Sequence, residues 1–205
     1  MVDLIGQYSK IKSEIDRNII SSIESGRFVN GPKVKQFSEN LSTYLKVGNV
    51  IPCANGTDAL QIAFMALDLK PGDEVVSTDD LYGGSYRLFT KIFEDFGIRF
   101  HFVNMSNVDN VEAAINKNIR MVWVETPTNP MMNLIDVQSL SKICIKNKVL
   151  LAVDNTFATP YLQKPLDLGA DIVMHSATKY LAGHSDVILG ALIVKDDQLA
   201  EKLYF

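Results

Sequence analysis

The chain has 205 residues, 47% of them hydrophobic and 21% charged, with a formal net charge of -4 and a pI near 5.4. That size and apolar share suffice for one substantial core, and the mildly acidic balance offers no basic face to nucleic-acid phosphates. No apolar run is long enough to cross a bilayer, and the opening Met1-Val2-Asp3-Leu4-Ile5-Gly6 lacks a charged segment followed by an apolar one. A cytoplasmic protein with neither nucleic-acid nor membrane partners is expected.

Residues 13–24 place Ile15, Ile19 and Ile23 at helical spacing, with Ser13 as the expected N-cap. Gly26 ends that helix and Phe28-Val29-Asn30-Gly31-Pro32 forms a turn. Pro32 suits the first position of a second helix, in which Val34, Phe37, Leu41 and Leu45 repeat as one apolar stripe. These helices predict an N-terminal arm over residues 1–48, ahead of a main domain over 49–205.

From Val50 the rhythm changes to short apolar runs alternating with helical patterns. Strands are expected at 50–54, 74–77, 99–103, 121–125, 149–153, 171–175 and 188–194, and helices near 57–68, 84–96, 109–117 and 136–146. Several strands are apolar on both faces, as strands covered by helices on each side must be. The alternation predicts an α/β fold with a mostly parallel seven-stranded sheet and helices on both faces. Pro52 makes the first strand an edge or a short one. Cys53 and Cys144 stand apart among apolar neighbours and read as buried structural thiols. His101, His175 and His184 are scattered, so structural roles and no metal site are expected.

Polar clusters follow several of these strands, where open α/β sheets bind ligands. Asn55-Gly56-Thr57-Asp58-Ala59 opens a helix. Gly56 permits close backbone approach and Thr57 adds a hydroxyl, so the segment is either a phosphate cradle or an ordinary turn with an N-cap. Glu125-Thr126-Pro127-Thr128-Asn129-Pro130 follows the fourth strand; read alone, it is a rigid turn. Asp154 ends the most apolar strand, where a carboxylate needs a partner. A protonated pyridine nitrogen would serve, and a cap is the alternative. His175-Ser176-Ala177-Thr178-Lys179-Tyr180 places a lysine between hydroxyl residues after a buried strand, an unusual setting for a side chain normally solvated. Phosphate cradle, ring-nitrogen carboxylate and Schiff-base lysine together are what pyridoxal 5'-phosphate requires.

From about Ser77 to Phe205 the chain resembles the cystathionine γ-synthase/γ-lyase family of Cys/Met metabolism, a branch of the fold-type I pyridoxal-phosphate enzymes. The motifs that carry the resemblance are Asp80-Leu81-Tyr82-Gly83-Gly84-Ser85-Tyr86-Arg87, Glu125 to Pro130, Val153-Asp154-Asn155-Thr156-Phe157-Ala158-Thr159-Pro160, and His175 to Tyr180. The resemblance implies that Lys179 holds the cofactor and acts as base at the substrate Cα, that Asp154 pairs with the pyridine nitrogen, and that Asn129 bonds near the ring oxygen. It further implies that Ser176 and Thr178 reach the phosphate and that Tyr82 stacks on the ring and assists the sulfur leaving group. In methionine γ-lyases a cysteine usually sits two residues beyond this tyrosine. Gly84 here leans the reading towards cystathionine-type or homoserine-ester substrates, acted on by a homodimer or homotetramer.

Residues 1 to about 75 instead resemble the DegT-type sugar aminotransferases, through Glu24-Ser25-Gly26-Arg27-Phe28-Val29-Asn30-Gly31-Pro32, Asn55 to Leu60 and Lys70-Pro71-Gly72-Asp73-Glu74-Val75. The chain is therefore expected to be a hybrid joined near residues 75–77. It is also expected to be truncated, without the C-terminal small domain and its substrate-carboxylate arginine. A sulfur-amino-acid lyase or transferase, a nucleotide-sugar aminotransferase and a non-catalytic cofactor-binding fragment are the three readings.

Overall fold

The computed structural model describes residues 3–204; Met1, Val2 and Phe205, the outermost positions of the two expected domains, lie outside the described residues. In chain order the elements are α1 (Leu4–Ser25), α2 (Pro32–Leu45), β1 (Asn49–Cys53), α3 (Gly56–Ala66), β2 (Glu74–Thr78) and α4 (Gly83–Leu88). There follow β3 (Arg99–Val103), α5 (Asp109–Ala114), β4 (Ile119–Glu125), α6 (Val137–Asn147), β5 (Leu150–Asp154), α7 (Thr159–Leu162), β6 (Ile172–Ser176), β7 (Gly190–Val194) and α8 (Asp197–Leu203).

The strands form one seven-stranded sheet in the order β1-β7-β6-β5-β4-β2-β3. Strands β3, β2, β4, β5 and β6 pair in parallel, while β7 runs antiparallel to both of its neighbours. Strand β1 lies on the edge, as Pro52 requires, with Pro52 opposite Ala191.

Because side chains alternate along a strand, the sheet builds two cores. On one face Val75, Met121, Trp123, Ala152, Ile172, Met174 and Leu192 pack with Leu60 and Phe64 of α3 and with Phe89. On the other, Val76, Val122, Val124, Leu151, Val153, Val173 and Ile193 pack with Leu41 of α2 and with Val137, Leu140 and Cys144 of α6. Both cysteines are buried, and burial pushes Cys53 up to about 11 and Cys144 up to about 12, which keeps them inert thiols.

Among the expected boundaries that move, four do so for a clear local reason. The first helix starts at Leu4 rather than Ser13, because Asp3 is its cap and accepts the Gly6 N–H at 2.9 Å. The predicted 84–96 helix is α4 followed by a wide π-helical turn, Phe89–Phe93. That turn lets Phe89 and Phe93 both reach Phe64, with ring centroids 5.3 and 4.9 Å away. Helix α5 ends at Ala114, beyond which the amides of Asn116 and Asn118 turn to Glu74. Strand β7 starts only at Gly190, since the backbone of Leu189 is engaged by Thr178.

The first two helices differ in their packing. No residue of α1 is buried, and Ile19, Ile20 and Ile23 are exposed. In α2, Leu41 is buried, and Phe37 and Leu45 pack against the second core.

Candidate active site

The period-two alternation that sorts the cores also aims three polar side chains. Glu125 lies two residues after Trp123, Asp154 two after Ala152 and Ser176 two after Met174, so all three project from the α3 face at the carboxyl edge of the sheet. Glu125 is in register with Asp154, and Asp154 with Met174. The N-terminus of α3 opens at the same edge. There the structure brings together all the residues singled out on the sequence. Gly56, Thr57, Tyr82, Asn129, Asp154, Ser176, Thr178 and Lys179 line one cavity of about 500 Å³. That is the volume of a small-molecule site.

The cradle at its end is a close meeting of backbones. A Cβ on Gly56 would stand 2.6 Å from the Cβ of Ser176, and one on Gly190 would stand 2.1 Å from the carbonyl oxygen of Asn55. No larger residue fits either position without moving α3 away from β6 and β7. Asn55 caps the helix by accepting the Asp58 N–H at 2.9 Å. The N–H groups of Gly56 and Thr57 belong to the first turn and have no intrahelical acceptor, so this end of an 11-residue helix attracts an anion.

Asp154 is 6% exposed. It accepts the N–H of Thr156 at 3.0 Å, and the hydroxyl of Thr156 in turn accepts the N–H of Ser176 at 2.9 Å. Burial raises the Asp154 carboxyl above its ordinary range, while Thr156 opposes the rise through its hydroxyl and N–H. Glu125, also 6% exposed, is raised by burial and then by the neighbouring Asp154. The N–H groups of Tyr82 and Asn129 pull it back only in part. Two adjacent buried carboxyls of this kind call for a cation or a hydrogen-bond donor between them and the cavity.

Tyr82 stands just before α4 with its ring folded over Gly84, so that a Cβ at Gly84 would meet the ring at 2.3 Å. Asn129 is half-buried in the loop after β4. The plain reading of this loop as a rigid turn is also realised. The Asn133 N–H donates to the Thr128 hydroxyl at 2.8 Å, and the Ile135 N–H donates to the Thr126 hydroxyl at 3.1 Å.

Two placements add local detail to these expectations. Lys179 is exposed, because the turn over residues 177–182 lifts it off the strand end; it lines both the cavity and an adjoining open depression of about 640 Å³. Thr178 lines the cavity, but its hydroxyl braces the chain to Leu189. It donates to the Leu189 carbonyl at 3.2 Å and accepts the Leu189 N–H at 3.0 Å.

Thr156 and the part played by Glu125 were not singled out on the sequence. Glu125 carried the same signal as Asp154, a carboxylate closing an apolar strand. The histidines lie apart from one another. His101 pairs with Glu74 at 2.7 Å, His184 bonds the Ala182 carbonyl, and buried His175 faces the opposite side of the sheet from Ser176.

A lysine at the mouth, a helix N-terminus packed against a hydroxyl residue, and a buried carboxylate short of a cation are the donor set that pyridoxal phosphate needs. The residues present fit it. The family model described as Cys/Met metabolism PLP-dependent enzyme matches residues 12–205, a range that crosses the junction expected at 75–77. A probable cystathionine gamma-synthase from Herpetosiphon aurantiacus is 47% identical over 141 residues, 69% of this chain and 44% of that protein. A cystathionine gamma-lyase from Bacillus subtilis is 47% identical over 167 residues, 82% of this chain and 44% of that one. Among solved structures, a cystathionine gamma-lyase from Lactobacillus plantarum complexed with L-serine superposes with a TM-score of 0.77 at 39% identity, covering 80% of this chain and 42% of that one. The chain thus spans less than half the length of these relatives. It belongs to the Cys/Met metabolism PLP-dependent enzyme family.

Proposed function

We propose that this chain supplies the cofactor-binding half-site of a carbon–sulfur lyase or γ-replacement enzyme acting on sulfur amino acids of the cystathionine type. The observation that carries the reading is the convergence of Lys179, Asp154, Tyr82, Asn129 and the Gly56–Ser176 cradle on one cavity. When bound, pyridoxal phosphate supplies an electron sink for negative charge at the substrate Cα.

The chain's own residues do the rest. Lys179 Nζ would hold the cofactor and would move the proton at the substrate Cα. Its exposed position between the cavity and the open depression would leave the amine free for both tasks. The Asp154 carboxylate would hold the N–H of a cationic pyridine ring, which would supply the charge partner that burial denies it. The N–H groups of Gly56 and Thr57, with the Ser176 hydroxyl, hold the phosphate. Asn129 would orient the ring edge and Tyr82 would cover its face, with its phenol assisting the sulfur leaving group. The small Gly84 beneath Tyr82 supports the cystathionine-type reading.

Residues 1 to about 75 keep a second proposal in view. Asn55-Gly56-Thr57 supports a phosphate cradle of the DegT type in this stretch, with a keto-sugar as the alternative amino acceptor. The exposed apolar face of α1 supports an N-terminal arm over residues 1–48 and a homo-oligomer in which that face is covered. Among the described residues no helix is long and apolar enough to cross a membrane, and we propose a cytoplasmic enzyme.

The test is titration of the chain with pyridoxal phosphate, followed by visible absorption. The cofactor band should be perturbed in the native chain and unperturbed in Lys179→Ala. Assays of α-keto acid release from cystathionine and of amino transfer to a keto-sugar then decide between the two chemistries. Failure of the native chain to perturb the band defeats both.

A further inference from the structure

Two loops at the carboxyl edge exchange carboxylates. Strands β2 and β4 are parallel neighbours, so the loop after β2 (residues 79–82) and the loop after β4 (residues 126–133) leave the sheet side by side. Glu125, at the end of β4, accepts the Tyr82 N–H at 2.9 Å across 43 residues of sequence. In the reverse direction Asp80 accepts a hydrogen bond from the Thr128 hydroxyl and another from the Met131 N–H at 3.0 Å.

The geometry matters because each loop carries one wall of the cavity. Tyr82 follows Asp80 by two residues, and Asn129 follows Thr128 directly. A loop restrained only by its own turns could tilt as a unit, whereas two carboxylates crossing in opposite directions fix both separation and tilt. Each bond joins a carboxyl oxygen to an N–H or hydroxyl, and the Glu125 end is shielded from water, where a hydrogen bond is stronger. Asp80 and Glu125 lie in the family's motifs, yet neither has a role among the residues assigned to the cofactor.

We propose that Asp80 and Glu125 are positioning residues, an exchanged clasp that sets the width of the slot between Tyr82 and Asn129 and so fixes how a flat ring lies in the cavity. The proposal rests on the reading of that cavity as the pyridoxal-phosphate site. Lys179 is not part of the clasp, so loosening it changes the orientation of the ring rather than its attachment.

The experiment measures two properties of the chain loaded with pyridoxal phosphate. One is the amount of cofactor fixed to Lys179 by borohydride, read by mass spectrometry at saturating cofactor. The other is the visible circular dichroism per bound cofactor, which reports ring orientation. Glu125→Ala and Asp80→Ala should each lose most of the dichroism while keeping the Lys179 adduct at saturation. Apparent affinity should fall by up to about tenfold, as for one lost hydrogen bond. Glu125→Gln and Asp80→Asn, which retain an acceptor oxygen, should recover most of the signal. Thr128→Val, nearly the same shape without the donor, should behave as Asp80→Ala and serves if either alanine variant fails to fold. Unchanged dichroism in folded Thr128→Val and in the folded alanine variants overturns the clasp. No adduct at Lys179 in the native chain overturns the cofactor reading beneath it.

Discussion

Glu125 and Asp154 stand opposite one another at the ends of neighbouring parallel strands, and both carboxyls are buried. Burial raises both above their ordinary values of 4.5 and 3.8, and Asp154 raises Glu125 further. Between those ordinary values and the raised ones, the folded chain holds more protons than the unfolded chain. Stability from this pair is therefore fully present at low pH and is lost as pH rises through the raised range. Urea unfolding of the cofactor-free chain between about pH 5 and about pH 8 should show this decline, and Asp154→Asn should flatten it. A bound cationic ring should remove the decline as well, by giving the ionised pair a partner.

Gly56→Ala tests the cradle. The added methyl would press on Ser176, and moving α3 away should cost about 1–3 kcal/mol, as overpacking in a tight site does. Because the clash falls where the phosphate is to be held, cofactor affinity should fall while the far-ultraviolet circular dichroism of the folded chain stays the same. Calorimetric titration with pyridoxal phosphate checks the first and a spectrum the second.

Glu74 lies at the opposite end of β2 from the site, so it separates fold stability from cofactor binding. Hydrogen bonds from Asn116, then His101 and Asn118, hold its carboxyl down at about 2, against an ordinary 4.5. The unfolded chain then takes up its proton first. The contribution of Glu74 is present above about 4.5 and is lost as pH falls toward about 2. Glu74→Gln should shift acid unfolding to higher pH and leave cofactor affinity at neutral pH as in the native chain. Acid titration followed by circular dichroism measures the shift.

What could be read from the sequence was what repeats or stays local. Apolar runs such as Val149 to Val153 gave the strands because both faces are buried, and Gly26 and Pro32 marked helix ends by backbone geometry alone. The antiparallel direction of β7 was not legible, since its run Gly190 to Val194 has the same apolar pattern in either direction. Lys179 was expected in a more enclosed setting than the turn gives it, because the apolar pattern ends at the strand and says nothing of the path beyond. Asp154 could be picked out by its strand alone. Glu125 could not be given a role, because its partner is a backbone N–H 43 residues away.

The claim at the centre is that Lys179 anchors the cofactor. The direct measurement is borohydride reduction of the chain after incubation with equimolar pyridoxal phosphate, followed by peptide mapping. The account predicts one reduced cofactor per chain, on the peptide containing Lys179, with no adduct in Lys179→Ala. Adducts spread over other lysines, or a single adduct that persists in Lys179→Ala, would contradict it.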